Sequence, residues 1–264
     1  VDNTEEEGLE MRIAVAGGTG LIGKMVVHAA REHGHTPVVI ARSTGVDLST
    51  GAGLDDALRR AEALIDVTNV TTTKRATSIA FFETATTTLL RAAAQAGVGH
   101  HVALSIVGCD RVHLGYYAGK VRQENLVLAG AAGGGVPATV LRATQFHEFA
   151  AQMLANAPGP LLPVPIMLSR PIAAREVAEA LVEIAVGPPQ GLAPDLAGPE
   201  EKQLVAMTRQ VVKARRLRRL VVPIPVPGEV GKALRHGGLL PTGPGPRGTQ
   251  TFEQWLAEQG RLAS

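Results

Sequence analysis

The chain has a single cysteine, Cys109, in 264 residues, so no intrachain disulfide can form, and no C-x-x-C or H-E-x-x-H spacing supplies a metal cage. We therefore expect a cytoplasmic protein in a reducing compartment, with no metal. Aromatic residues are scarce. Five Phe, two Tyr and one Trp leave the core to Ala, Val, Leu and Ile, and they offer no base-stacking platform for reading RNA. Long apolar runs are missing as well: none reaches the roughly eighteen residues of a membrane span. A basic signal-peptide start is also absent, since Val1–Glu10 carry Asp2, Glu5, Glu6, Glu7 and Glu10. We read residues 1–10 as a flexible acidic leader, with Met11 as a natural start. Charge is balanced, with 26 basic and 24 acidic residues and a net charge of +2, which excludes a polyelectrolyte. What remains, 45% hydrophobic and 19% charged, is enough for one large or two small globular domains.

The chain alternates between buried-strand and helix patterns. Ile13-Ala14-Val15-Ala16 reads as a strand and breaks into Gly17-Gly18-Thr19-Gly20-Leu21-Ile22-Gly23. A helix follows, with Ile22, Met25, Val26 and Ala29 at helical spacing and Gly34 at its end, and Pro37–Ala41 forms the next strand. Strand, helix and strand within about thirty residues make a βαβ unit on a parallel sheet. The rhythm continues through a short third strand at Val46-Asp47, a helix from Leu54 to Ala61 and a fourth strand at Ala63–Val67. It then runs through a helix from Ser78 to Ala96, a fifth strand from His101 to Val107, a helix from Tyr117 to Leu128 and a sixth strand at Ala138–Arg142. This predicts an α/β fold: a Rossmann-type doubly wound parallel sheet with a small C-terminal cap region. We expect residues 11–145 to form a nucleotide-binding core. Residues 146–264, with helices near Ala174–Val186 and Pro199–Arg215, should complete that core and supply the cap.

Gly17, Gly20 and Gly23 read as G-x-x-G-x-x-G, and Gly18, Gly20 and Gly23 satisfy G-x-G-x-x-G. In either register glycines tighten the turn, let backbone approach a pyrophosphate and let helix and strand pack closely, while free N–H groups at the helix start face the anion. The segment Gly17–Gly23 thus predicts a dinucleotide site, with Thr19, Leu21 and Ile22 on its rim. The end of the second strand carries Arg42 and Ser43 where an acid would hold ribose hydroxyls. A guanidinium and a hydroxyl suit a 2′-phosphate, so NADP(H) is expected over NAD(H). Asp47 is either an adenine contact or a turn former, and Asn69 either lines the cleft or caps a turn.

Tyr116-Tyr117-Ala118-Gly119-Lys120 is Y-x-x-x-K at a helix start, which sets Tyr116 and Lys120 one turn apart. An ammonium beside a phenol favours the phenolate and lowers a pKa that starts near 10, which suits proton transfer to a carbonyl oxygen.

With these residues in hand, the sequence resembles the atypical, NmrA-like branch of the short-chain dehydrogenase/reductase superfamily over most of Met11 to Ser264. The likeness rests on Ala16–Gly23, Leu104-Ser105, Tyr116–Lys120 with Glu124, Thr139–Arg142, Ala173–Ala178 and Leu196–Glu200. The resemblance implies a Rossmann-type core, NADP(H) binding and often carbonyl or enone reduction, with Tyr116 as acid, Lys120 as activator and ribose ligand, and Ser105 as oxyanion partner. It also implies an alternative, because several such proteins bind dinucleotide as redox-sensing regulators without turnover. Ser105 is followed by Ile106, Val107 and Gly108, which sets it one or two residues early for its role. An epimerase or dehydratase with tightly held NAD is disfavoured by Arg42.

Gln145, Phe146, His147 and Glu148 follow the sixth strand, at the carboxyl edge where such sheets hold ligands. They are either substrate contacts or the first turn of a cap helix with aromatic anchors. His113 is a weaker candidate, and Cys109 is either a redox-sensitive thiol or a packing residue. Lys213, Arg215, Arg216, Arg218 and Arg219 form the one basic cluster, read as a solvated helix end. The expected partner is a small-molecule substrate, with no nucleic acid and no membrane, on a monomer or homodimer.

Overall fold

The computed structural model describes residues 10–155, 157 and 159–262, so all of the expected acidic leader except Glu10 lies outside the described residues. The first half runs β1 (Arg12–Ala16), α1 (Leu21–Glu32), β2 (Thr36–Ile40), α2 (Leu54–Ala57), β3 (Ala63–Asp66), α3 (Arg75–Ala96), β4 (His100–Ile106), α4 (Gly115–Ala132) and β5 (Ala138–Ala143). The rest comprises α5 (Glu148–Ala155), β6 (Leu161–Pro165), β7 (Leu168–Ser169), α6 (Ala174–Val186), β8 (Gly191–Leu192), β9 (Lys202–Gln203), α7 (Leu204–Ala214), β10 (Leu220–Ile224), α8 (Gly228–Arg235) and α9 (Phe252–Leu262).

Six strands form one parallel sheet in the order β2-β1-β3-β4-β5-β8. This is the expected doubly wound sheet, and the strand order reverses between β1 and β3, where open α/β sheets form a ligand crevice. Alternation along β1 explains the two layers: Ile13 and Val15 pack with α1 and α6, while Ala14 and Ala16 pack with Leu54, Leu89 and Ala93 on the opposite face. A further apolar cluster gathers Val112 and Tyr117, beyond β4, with Leu162, Leu204, Phe252 and Trp255. Helix α6 thus packs on the sheet-side core, and the further cluster reaches Ile106 at the end of β4. No helix among the described residues is long and apolar enough to cross a membrane.

Several elements differ from the sequence expectation. No strand forms at Val46-Asp47. Asp47 makes only an isolated antiparallel bridge with Ala52, and its Oδ1 accepts hydrogen bonds from the Ser49 N–H at 2.8 Å and hydroxyl at 2.7 Å, so local turn bonding displaces the ladder. The expected fourth, fifth and sixth strands are therefore β3, β4 and β5. Helix α2 stops at Ala57 instead of Ala61, because Arg60 takes a left-handed φ of 59° as the chain turns into β3. Helix α4 runs past Leu128 through Gly130 to Ala132, since packing along α3 outweighs glycine's low helix propensity. The helix expected from Pro199 begins only at Leu204, because Lys202 and Gln203 pair with Ser169 and Leu168. The proline-rich stretch contains a strand, β6, paired in parallel with β10. Prolines can occupy it because the pair is only two strands wide.

Candidate functional site

The loop from β1 into α1 lies at the switch point. The Gly17 N–H donates to the Ile40 carbonyl at 3.0 Å, and φ at Gly17 is +81°. A Cβ there would stand 2.8 Å from the Val67 carbonyl oxygen. Gly23, in the first turn of α1, lies so close to the Gly17 carbonyl that a Cβ would sit 2.1 Å from its oxygen. Both glycines are thus required sterically, one for turn geometry and one for helix-on-turn packing. Helix α1 follows Gly20 at its N-cap, with no side-chain cap and no acid in its first turn, and Thr19, Gly20 and Leu21 are exposed. Ile22 is buried instead, in the sheet-side core.

A cleft of about 780 Å³ opens over this turn, bounded by Gly17, Thr19, Arg42, Asp47, Thr68 and Asn69. Arg42 projects there from the short turn after β2, whereas Ser43 is exposed on the same turn but lies outside the cleft wall. The Ser49 bonds hold the Asp47 carboxyl below the usual carboxylate range, so Asp47 is both a turn former and a wall of the cleft.

Asn69 joins the cleft to α4. Its Oδ1 accepts a hydrogen bond from the Tyr116 hydroxyl at 2.7 Å and another from the Val70 N–H at 2.8 Å. The Tyr116 ring packs edge-on against Phe82 at 5.9 Å. Burial, followed by the neighbouring Cys109, pushes its phenol above the ordinary tyrosine value. The expected depression by Lys120 is absent. Lys120 is only 4% exposed, and its ammonium donates to the Leu104 carbonyl and to Gln123 Oε1, both at 2.5 Å, and lies 4.7 Å from the Phe82 ring centre. Burial brings its pKa down to about 8, against the opposing pull of Asp66. One turn of helix places the two residues on one face, but tertiary packing directs the ammonium inwards and the phenol towards Asn69.

Sequence reasoning missed the rest of this network. Gln123 donates from Nε2 to Asp66 Oδ2 at 2.8 Å, and Asp66 Oδ1 accepts from the Thr68 N–H at 2.9 Å. Lys120 is thereby linked to the cleft-lining loop after β3. The only signals were Gln123 three residues after Lys120 and an acid ending an apolar strand.

Ser105 is buried, with its Oγ 3.8 Å from Cys109 Sγ. The thiol in turn donates to Glu124 Oε1 at 3.4 Å. Glu124 is clamped by Arg142, Nε to Oε1 at 2.9 Å and Nη2 to Oε2 at 2.6 Å, and Arg142 also reaches Asp110 at 3.0 Å. Burial, then the Glu124 charge, pushes the Cys109 thiol up to about 12, so it packs as a neutral group. Ser105 faces this cluster, and no hydrogen bond joins it to Tyr116.

The four residues after β5 divide. Phe146 packs against the sheet-side core, and His147 is fully buried, its Nε2 3.1 Å from the Gln250 carbonyl and its ring against Phe252 and Trp255. Burial lowers the His147 pKa, and the ring anchors the C-terminal segment through Gln250, Phe252 and Trp255. Both side-chain polar atoms of Gln145 and the Glu148 Oε2 are buried without a hydrogen-bond partner. Burial also raises the Glu148 carboxyl. His113 is exposed.

Residues 13–106, from β1 to the end of β4, match the model of the NAD dependent epimerase/dehydratase family. No curated protein matches the chain. Among solved structures it is similar to MoeE5 in complex with UDP-glucose and NAD, at 20% identity over 96% of this chain and 98% of that one, with a TM-score of 0.73. It is likewise similar to UDP-N-acetylglucosamine 4-epimerase from Bacillus cereus, at 17% identity over 96% of each chain and a TM-score of 0.70. A short-chain dehydrogenase/reductase superfamily protein from Agrobacterium tumefaciens with bound NAD is 18% identical over 96% of this chain and 97% of that one, with a TM-score of 0.70. The family named is thus epimerase/dehydratase and not NmrA-like, and at these identities the structural likeness is one of fold. By its amino-terminal match and its sheet, the chain resembles the NAD-dependent epimerase/dehydratase proteins and, with them, the short-chain dehydrogenase/reductase fold.

Proposed function

We propose that the protein is an NADP(H)-dependent oxidoreductase that reduces a small carbonyl compound or activated alkene. The observation that carries this reading is the Tyr116–Asn69 hydrogen bond at the edge of a cleft whose floor is the Gly17–Gly23 turn. The residues present fit a dinucleotide. A Cβ at Gly17 or Gly23 would collide with backbone, and the uncapped start of α1 faces the cleft. When bound, the nicotinamide nucleotide supplies the hydride. On this reading Gly17, Gly18 and Gly20 admit the pyrophosphate, and Arg42, with Ser43 beside it, meets the 2′-phosphate. Tyr116 delivers a proton from its hydroxyl to the substrate oxygen or carbon.

A phenol held protonated suits a donor, and Asn69 orients it. Lys120 supports the reaction from beneath the site, by fixing the Leu104 carbonyl and Gln123. Gln145 and Glu148, with unpartnered buried polar atoms, are the substrate contacts we propose within a cap drawn from residues 146–264. The nucleotide core would then be residues 11–145. The matched family favours NAD, whereas Arg42 in the cleft favours the phosphorylated cofactor.

Tyr116→Phe tests the chemistry. NADPH oxidation with a panel of aldehydes, ketones and enones should fall at least about a hundredfold in the variant, while NADPH affinity stays within about twofold of the wild type. Undiminished turnover would remove Tyr116 as the acid. A second reading, a non-catalytic NADP(H) sensor of the NmrA-like kind, is favoured by the burial of Ser105 and Lys120 away from the phenol. Unequal binding of NADP+ and NADPH without turnover of any panel member would select it.

A further inference from the structure

The parallel pair β6–β10 has one buried and one open face. Leu162, Val164 and Val221 point inwards and are at most 5% exposed. In register on the outer side lie Leu161 beside Leu220, Pro163 beside Val222 and Pro165 beside Ile224. Leu161 is 57% exposed, Leu220 64% and Ile224 41%, and Leu217, in the turn leading into β10, is 40% exposed. Four of the seven large exposed hydrophobic residues among the described residues thus share one small region.

The same turn carries charge of one sign. Lys213, Arg215, Arg216 and Arg218 are all exposed and make no ion pair among the described residues. Arg219 is consumed structurally, donating to the carbonyls of Leu154, Ala157 and Gly159. The sequence contains no acidic residue between Glu201 and Glu229, and no charged residue at all between Glu148 and Arg170. The face therefore combines an uncharged aliphatic centre with an adjoining cationic segment that carries no acid of its own.

We propose that this face docks on a bilayer surface that contains anionic lipid, with Leu161, Leu217, Leu220 and Ile224 entering the interface and Lys213, Arg215, Arg216 and Arg218 meeting headgroup phosphates. Such a surface rewards apolar burial and positive charge together. A second copy of this chain matches poorly, since a two-fold contact would set the cationic segment against itself. Nucleic acid would leave the aliphatic strip against phosphate and sugar without stacking or hydrogen bonds. Contact of this kind needs no membrane span, so it is compatible with the absence of a spanning helix among the described residues. It is independent of the nucleotide reading.

The test is co-sedimentation of the full chain with vesicles of phosphatidylcholine alone or mixed with phosphatidylglycerol. Binding should be at least about tenfold stronger to the anionic vesicles and should collapse when salt is raised from about 0.1 M to 1 M. Lys213→Gln/Arg215→Gln/Arg218→Gln should lose most of it, as should Leu161→Ser/Leu220→Ser, with unchanged far-ultraviolet circular dichroism and melting temperature. All these side chains are exposed, and the two variants probe charge and apolar burial separately. Equal binding to both vesicle types, or none, overturns the proposal. So does a dimer in light scattering that Leu161→Ser/Leu220→Ser converts to monomer, or retention of a polyglutamate peptide without vesicle binding.

Discussion

Asn69 Oδ1 and the Tyr116 hydroxyl meet at 2.7 Å although the residues are 47 positions apart, one on the loop after β3 and the other in the first turn of α4. The bond ties the wall of the cleft to the proposed proton donor and fixes the aim of the phenol. If that aim matters to turnover, Asn69→Ala should lower kcat between about tenfold and a hundredfold, the loss expected when a reacting group is misplaced by about an ångström. Asn69→Asp, which keeps an acceptor, should retain more activity. Steady-state kinetics of both variants against one reducible substrate check the ranking, and equal loss in the two would remove the orienting role.

Gly23 and Gly34 separate two uses of glycine. Gly23→Ala must push a Cβ into backbone at 2.1 Å, so it should destabilise by about 3 kcal/mol and weaken nucleotide binding. Gly34 has φ +77° but open space around it, and Gly34→Ala should cost about 1 kcal/mol with nucleotide affinity intact. Urea unfolding together with fluorescence titration of NADPH distinguishes them. Similar costs in both proteins would show that the turn yields more easily than its contacts imply.

The Glu124–Arg142 clamp is nearly closed to solvent, with side chains 5% and 13% exposed. Glu124→Gln leaves the Arg142 guanidinium short of its main counter-charge and should cost about 3 kcal/mol. Replacing both, as Glu124→Leu/Arg142→Met, should recover most of that loss, because the desolvation penalty leaves with the charges. Chemical denaturation of the single and double variants measures this, and a double variant less stable than Glu124→Gln would contradict it.

Lys120 makes stability depend on pH in a known direction. Its pKa is about 8 in the folded protein against 10.5 for an ordinary lysine, so between these values the unfolded chain binds more protons and stability rises with pH. Below about pH 8 the buried ammonium stays charged in both states and its burial penalty is fully present. The stability difference between wild type and Lys120→Met should therefore increase with pH from about 8 to 10.5, at up to about 1.4 kcal/mol per pH unit. Cys109, whose pKa is raised to about 12, opposes this trend in both proteins, so the difference isolates Lys120 together with its coupling to that thiol. A flat difference across that range would place the ammonium in water.

The opening βαβ unit, the glycine turn and the parallel sheet could be read from local pattern, because hydrophobic period and turn chemistry act over a few residues. Even the boundaries of α6, Ala174–Val186, follow from its apolar spacing. Where reading failed, a distant partner decided. At Val46-Asp47 the Ser49 turn bonds leave only an isolated bridge to Ala52, and β6 is a strand despite its prolines because β10 lies beside it. The same holds at the site. Y-x-x-x-K sets Tyr116 and Lys120 one turn apart, but spacing cannot say where either side chain points. Asn69, Asp66, Gln123 and the Leu104 carbonyl settle that, and they come together only once β3, β4 and α4 pack. Backbone conformation is governed by neighbours along the chain. The direction and protonation of a buried polar side chain are governed by the groups that tertiary packing places around it.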